Sequence, residues 1–81
     1  MNEYEIKTPH QLGPVLRGYR RQRKLTQTEV GARVALAQKA VSKIELTPER
    51  TGLSTLFKLL AALELELVVR PRGAAARRSE W

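Results

Sequence analysis

Apolar residues in the segment 25–44 recur at the spacing of two short helices that meet at a tight turn. The apolar positions are Val30, Val34, Leu36, Val41 and Ile44. Gly31, on the inner side of the first helix, leaves room for a close crossing of the pair. The pattern predicts a helix-turn-helix whose second helix, residues 38–45, turns polar and basic side chains away from the core. This arrangement is typical of proteins that read DNA.

The first helix of this pair has a clear start and an unusual end. Thr26 and Glu29 have the spacing of a capping box, so Thr26 is the predicted N-cap. The turn that follows contains Ala35, where a left-handed residue is often needed and glycine is the natural choice. An alanine held in that conformation costs about 1 kcal/mol relative to glycine.

A helix before this pair carries an apolar and a basic face. Its apolar residues are Leu12, Val15, Leu16 and Tyr19, and its basic ridge consists of Arg17, Arg20, Arg21 and Lys24. Thr8 and Pro9 have the sequence of a helix start, but Gly13-Pro14 follows within five residues. Either a short turn precedes the true helix or the helix is kinked at Pro14.

The chain is predicted to be one all-α domain of four to five helices over residues 8–63, preceded by an N-terminal arm, residues 1–7. Residues 46–52 form a turn-rich connection. A further helix is expected from Leu53 to Leu63. The residues predicted to complete the core there are Leu53, Leu56, Phe57, Leu60 and Leu63.

The segment 64–70 fits two structures. Leu65, Leu67 and Val69 alternate as in a strand, which would pair with the same segment of a second copy in a homodimer. Leucines spaced along the preceding helix also allow a longer helix that dimerises through them. Residues 71–81 are expected to be a flexible tail, disordered when free. Its last residue, Trp81, is either an anchor for another protein or an aromatic residue at a solvated terminus.

The composition favours a polyanionic partner and argues against catalysis. Fifteen Lys and Arg residues against eight Glu give a net charge of +7. With no Asp, no Cys and one His, the chain lacks the residues for a metal site, a thiol nucleophile or a catalytic triad. We therefore expect no enzyme activity, no cofactor and no small-molecule ligand. Without a membrane-length apolar run or signal peptide, the chain is expected to be soluble and cytoplasmic, associated with the nucleoid through DNA.

Residues on the exposed side of the second helix of the pair are candidates for contacting DNA. The predicted base-reading residues are Gln38, Lys39, Ala40 and Ala37, and the predicted phosphate ligands are Gln27, Thr28, Ser42, Lys43, Arg17 and Arg21. The amide of Gln38 can accept a hydrogen bond from N6 of adenine and donate one to N7. The alternative for each polar residue is an ordinary solvated position on a helix.

The stretch TQTEVGARVALAQKAVSKIE resembles the phage-repressor-like helix-turn-helix family. In that family, a Gln at the start of the second helix and another early in the third cooperate at an adenine, and Gln27 and Gln38 stand at those places. The stretches TPHQL, LTQTE and LSTLFKLLAALELEL, together with a final Glu-Trp, resemble HipB-type antitoxins more narrowly. This narrower similarity runs from about Thr8 to Val69 and includes the last two residues.

The narrower resemblance implies a homodimer whose strands form a lid and which binds palindromic operators in its own promoter. It also implies a complex with a HipA-type Ser/Thr kinase toxin, with Trp81 contacting the toxin or marking the tail for a protease. Ala35 and Gly13-Pro14 depart from the family pattern, and residues 37–40 differ enough that the operator sequence does not carry over. Two other functions stay open: a stand-alone phage or plasmid-type repressor, and an interaction module that has lost DNA binding.

Overall fold

The computed structural model describes residues 3–73, and within that range the fold is helical. The helices are α1 (Leu12–Gln22), α2 (Gln27–Ala32), α3 (Gln38–Leu46) and α4 (Leu53–Ala62). Single 3-10 turns occupy Pro9–Gln11 and Pro48–Arg50. Helix α3 packs against both α1 and α2, so the predicted helix-turn-helix is present as the α2–α3 pair. Trp81 and the rest of 74–81 lie outside the described residues.

The start of α1 resolves the two alternatives left by Gly13-Pro14. The short turn Pro9–Gln11 comes first, and α1 begins at Leu12, so Pro14 falls in the first helical turn. Amide groups in that turn have no partner within the helix, and a proline there costs no hydrogen bond. The turn-before-helix alternative is therefore correct.

Helices α2 and α3 are joined as the sequence predicts. Thr26 caps α2: its hydroxyl accepts from the backbone N–H of Glu29 at 3.1 Å, and the Glu29 carboxylate accepts from the Thr26 N–H at 2.8 Å. Ala35 is left-handed, with φ of 59°. The chain then closes the turn with a bond from the Leu36 N–H to the carbonyl of Gly31 at 2.9 Å. Lys24 and Glu64, which follow α1 and α4, have the same φ.

Two glycines allow α3 and the turn before it to approach the neighbouring helices closely. A Cβ atom added at Gly13 of α1 would lie 2.2 Å from the carbonyl oxygen of Glu45 in α3. One added at Gly31 of α2 would lie 2.3 Å from the carbonyl oxygen of Leu36 and 3.1 Å from a methyl group of Val41. Any side chain at either position would push α3 away from its neighbours.

The buried core joins side chains from all four helices, with Leu63 just beyond α4. Its members are Leu16, Val30, Val41, Ile44, Leu59, Leu60, Ala62 and Leu63. Leu53 and Phe57, predicted to belong to it, are instead 64% and 46% exposed. Helix α4 has leucines on two sides, so the periodicity was compatible with more than one buried face. The buried face includes Leu59, whereas Leu53 and Phe57 form an outer apolar face, which we call the α4 outer face.

The segment after α4 is not helical, so the longer-helix alternative is wrong. The left-handed Glu64 ends the helix, and the Leu65 N–H donates to the Leu60 carbonyl at 2.8 Å, as in a Schellman cap. Leu65 packs against the core of its own chain. Leu67 and Val69 are 51% and 92% exposed, and their pairing with a second copy stays a prediction.

Candidate nucleic-acid interface

The outer face of α3 presents the predicted base-reading residues to solvent. Ala37, Gln38 and Lys39 are exposed, and Ala40 is half-buried. Of the predicted phosphate ligands on this helix, Lys43 is exposed and Ser42 is half-buried. The opposite side of α3 is buried in the core, so α3 has the two-sided character that a helix in the major groove requires.

Gln38 does not extend freely from the surface. Its Nε2 donates to Oε1 of Gln27, at the start of α2, over 2.6 Å. The Nε2 of Gln27 in turn donates to Oε1 of Glu45 over 3.0 Å. The two glutamines that the family resemblance pairs are therefore in direct contact, and Glu45 extends the chain of hydrogen bonds into the interior.

The carboxylate of Glu45 is buried, and two arginines of α1 lie beside it. Its side chain is 3% exposed. Arg20 donates from Nε to Oε2 at 2.6 Å and from its Nη2 to Oε1 at 3.1 Å. Arg17 Nε lies 3.7 Å from Oε1. A third bond joins Arg20 Nη1 to the carbonyl of Leu25 at 2.8 Å, which ties the end of α1 to the approach to α2.

This arrangement corrects the predicted basic ridge of α1. Arg20 is 9% exposed and serves an interior ion pair, so it is not part of a DNA-facing surface. Arg17 is half-buried and directed at the same carboxylate. Arg21 and Lys24 are exposed. The sequence spacing placed all four cations together because it could not show that a carboxylate 25 residues from Arg20 faces α1.

The ionisation of Glu45 is set by opposing effects. Burial raises the pKa of the carboxyl, but hydrogen bonds from Arg20 and Gln27 and the charges of Arg20 and Arg17 outweigh it, so the pKa lies below the ordinary value. The hydrogen bond with Glu45 raises the pKa of Arg20, against the effect of its own burial. Both groups are charged at neutral pH.

An open groove of about 660 Å³ runs beside this network. Its lining residues are Arg20, Arg21, Lys24, Leu25, Thr26, Gln27, Thr28 and Gln38. The structure thus brings Gln27, Thr28 and Arg21, three predicted phosphate ligands, to the same groove as the base-reading candidate Gln38. Ser42, Lys43 and Arg17 do not line it.

Sequence reasoning missed Glu45 as part of the site. One signal was available: Glu45 follows Ile44 and lies one helical turn after Val41, so it falls toward the inner side of α3. Arg20 likewise lies one turn after the buried Leu16. Opposite charges on two inward helix faces indicate a buried ion pair.

Residues 3–73 show neither a cluster of metal-ligating side chains nor a membrane-spanning helix. This range contains no group of three or more His, Cys, Asp or Glu side chains placed to hold a metal ion. None of its helices has the length and hydropathy needed to cross a membrane.

Comparison with known proteins agrees with the geometry. Residues 16–69 match the family model described as helix-turn-helix. The chain is 31% identical over its full length to antitoxin HipB of Escherichia coli O6:H1 strain CFT073 and covers 93% of that protein. Two solved structures, a HipA-HipB-O2-O3 complex and a HipB-O4 20mer complex, each superpose with a TM-score of 0.82 at 31% identity, over 86% of this chain and 99% of theirs. The chain therefore belongs to the helix-turn-helix family of HipB-type antitoxins.

Proposed function

We propose that this protein is a DNA-binding antitoxin that represses its own operon as a homodimer and neutralises a HipA-type Ser/Thr kinase toxin. It acts without catalysis, in the cytoplasm where the operator lies. The observation that carries the proposal is the exposed Gln38 of α3, held by Gln27 within a fold shared with HipB in complexes with HipA and with DNA.

Base reading centres on Gln38, with Lys39 and Ala40 beside it on α3 and Ala37 at the N-cap of that helix. The Gln38 amide can contact N6 and N7 of adenine together, and the two alanines can contact a thymine methyl group. We expect Gln38→Ala to weaken operator binding by about 1–3 kcal/mol and to leave binding to random DNA nearly unchanged. Equal losses on operator and random duplexes would show that Gln38 positions the protein and does not read sequence.

Phosphate contacts come from the groove and from the outer part of α3. The groove contributes Gln27, Thr28 and Arg21, with Lys24 beside them, and α3 contributes Ser42 and Lys43. Arg17 is the weakest candidate of the predicted set because it lies near Glu45. If each protomer neutralises about four phosphates, a plot of log K against log salt for the dimer has a slope near −7. A slope shallower than about −3 would mean that these cations face solvent in the complex.

The homodimer forms through the segments whose apolar side chains are exposed in the single chain. Leu53 and Phe57 of the α4 outer face, together with Leu67 and Val69, present apolar surface that the single chain does not cover. Pairing of the 64–70 segments across a twofold axis would satisfy their backbone groups. It would also place two recognition helices about one turn of DNA apart, ~34 Å.

Co-purification with the HipA-type kinase tests the antitoxin role directly. The full chain and a chain lacking Trp81 are each co-expressed with a tagged kinase, and recovery of the complex is compared. We expect the full chain to be captured and the shortened chain to be captured poorly. Equal capture would remove Trp81 from the interface. Absence of capture with intact operator binding would leave a stand-alone repressor.

A further inference from the structure

We propose that Glu45 is a positioning residue for base recognition: its buried carboxylate fixes the donor and acceptor order of the Gln38 amide through Gln27. The inference rests on the proposed DNA-reading function and adds a residue that never reaches the DNA. It is carried by three consecutive contacts, from Arg20 to Glu45, from Gln27 to Glu45, and from Gln38 to Gln27.

The order of donors and acceptors follows from the charge at one end of this chain. An ionised carboxylate can only accept hydrogen bonds, so Gln27 must turn its NH₂ group toward Glu45. The carbonyl oxygen of Gln27 then faces Gln38, and it can be satisfied only by a donor. Gln38 must therefore direct its own NH₂ group at Gln27, as the 2.6 Å contact shows. A reversed amide at either glutamine would bring two acceptors together.

Arg20 is what makes this order stable. Its two bonds to the carboxylate, at 2.6 and 3.1 Å, keep Glu45 charged and fix its orientation inside the protein. The carboxylate is 3% exposed, so water does not compete effectively for its oxygens. Glu45 belongs to the same helix as Gln38, and the path through Gln27 of α2 links the inner and outer sides of that helix.

The consequence for DNA lies in the geometry of a primary amide. Gln38 donates one N–H to Gln27, and when this is the N–H trans to the carbonyl oxygen, the second N–H lies on the same edge as that oxygen. That edge offers one acceptor and one donor in a fixed order, which matches N6 and N7 of adenine. Guanine presents two acceptors, O6 and N7, so the fixed oxygen of Gln38 would face an acceptor. A Gln38 free to reverse its amide would lose this discrimination.

Selection of bound duplexes from a randomised DNA library, followed by sequencing, tests the proposal. The base position read by Gln38 is identified first, as the position where Gln38→Ala loses the wild-type preference for adenine. Glu45→Gln, whose amide can present either a donor or an acceptor to Gln27, is expected to reduce that preference by about tenfold. In the Gln38→Ala background, the same substitution should leave the preference at this position unchanged. A merely structural Glu45 would lower binding to all sequences equally.

Two further variants keep the test decisive. Gln27→Leu breaks the path while leaving the Arg20–Glu45 pair in place, so the chain stays folded even if Glu45→Gln does not. It is expected to flatten the preference at the same position. Glu49→Gln, an exposed residue with the same change of charge, is the matched control and should leave the preference intact.

If Gln27→Leu, or a Glu45→Gln variant that folds, keeps the preference for adenine, the proposed role of Glu45 is wrong. Base reading by Gln38 would still stand. If Gln38→Ala changes no position, base reading by Gln38 itself fails, and the proposed role of Glu45 fails with it. A wild-type protein that selects no sequence at all would instead contradict the proposed operator binding.

Discussion

The helix-turn-helix part of the molecule, α1–α3, and the part that follows it, α4 and the segment 64–70, expose different kinds of side chain to solvent. In α1–α3, a chain of hydrogen bonds joins the exposed Gln38 to the carboxylate of Glu45, which is 3% exposed. In the α4 outer face and the segment 64–70, apolar side chains are exposed, with Val69 at 92%. The first part is complete within one chain and offers polar groups to DNA. The second part exposes apolar surface that the proposed dimer would cover.

Breaking the ion pair of the first part has the largest expected effect. Arg20→Ala leaves a charged Glu45 buried with Arg17 nearby but without its two direct bonds, and we expect the free energy of unfolding to fall by about 3–5 kcal/mol. Urea unfolding followed by circular dichroism at pH 7 measures it. Arg21→Ala, one residue away and exposed, should change stability by less than about 0.5 kcal/mol. A loss below about 1 kcal/mol for Arg20→Ala would mean that the pair is dispensable.

A charged residue introduced in the second part should weaken dimerisation without unfolding the single chain. Phe57→Glu places a carboxylate in the proposed dimer interface, and we expect dimerisation to weaken by about 2–4 kcal/mol, roughly 100-fold. Sedimentation equilibrium measures the dissociation constant. Lys58→Glu, exposed on the same helix, is the control and should stay dimeric. Truncation after Leu63 should also produce a monomer, and a surviving dimer would contradict the role of Leu67 and Val69.

Lowering the pH should reduce the free energy of unfolding through groups in the first part more than through groups in the second. The reduction should be smaller than the one expected for Arg20→Ala. The pKa of Glu45 is lowered in the folded protein, so its contribution to stability is present above the ordinary glutamate pKa of 4.5 and is lost as the pH falls through the folded-state value. Melting temperatures recorded from pH 6 down to pH 3 measure this loss. Glu45→Gln, which lacks the titrating group, should show a shallower decline than the wild type. Parallel curves would assign the acid sensitivity to other carboxyls.

The smallest expected effect is a gain of stability in the turn between α2 and α3. Ala35→Gly relieves a left-handed alanine and should stabilise the protein by about 1 kcal/mol, raising Tm by about 4–8 °C. Ala61→Gly, in the exposed part of α4, should instead lower the stability by about 0.5–1 kcal/mol. Differential scanning calorimetry measures both changes. If the two variants shift Tm in the same direction, the backbone conformation of Ala35 is not the cause.

The local features of the fold could be predicted from sequence because neighbouring residues determine them. The capping box at Thr26 depends on a few adjacent positions and is confirmed, and Ala35 has the left-handed conformation that such a turn often needs. Helix α4 was harder, because its leucines lie on two sides and local periodicity does not say which side meets the core. The burial of Leu59 and the exposure of Phe57 were decided by the packing of α4 against the other helices.

The site was predictable only on its outer side. The contact between Gln27 and Gln38 agrees with the pairing implied by the family resemblance. On the interior half, spacing places Arg20 and Glu45 toward the inner sides of their helices, but it does not show that two residues 25 positions apart meet. The packing of α3 against α1 decides that Arg20 belongs to a buried ion pair and not to the basic ridge.

The two glycines that hold α3 have a consequence for protein engineering. Gly13 brings the backbone of α1 against that of α3, and Gly31 brings α2 against the turn that precedes it, so the recognition helix is closely framed on two sides. We expect new operator specificities to come from exchanging the outward side chains at positions such as 37, 39 and 43 while both glycines are kept. Collections of variants restricted to those positions should yield folded proteins with altered targets, whereas substitutions at either glycine would disturb the frame itself.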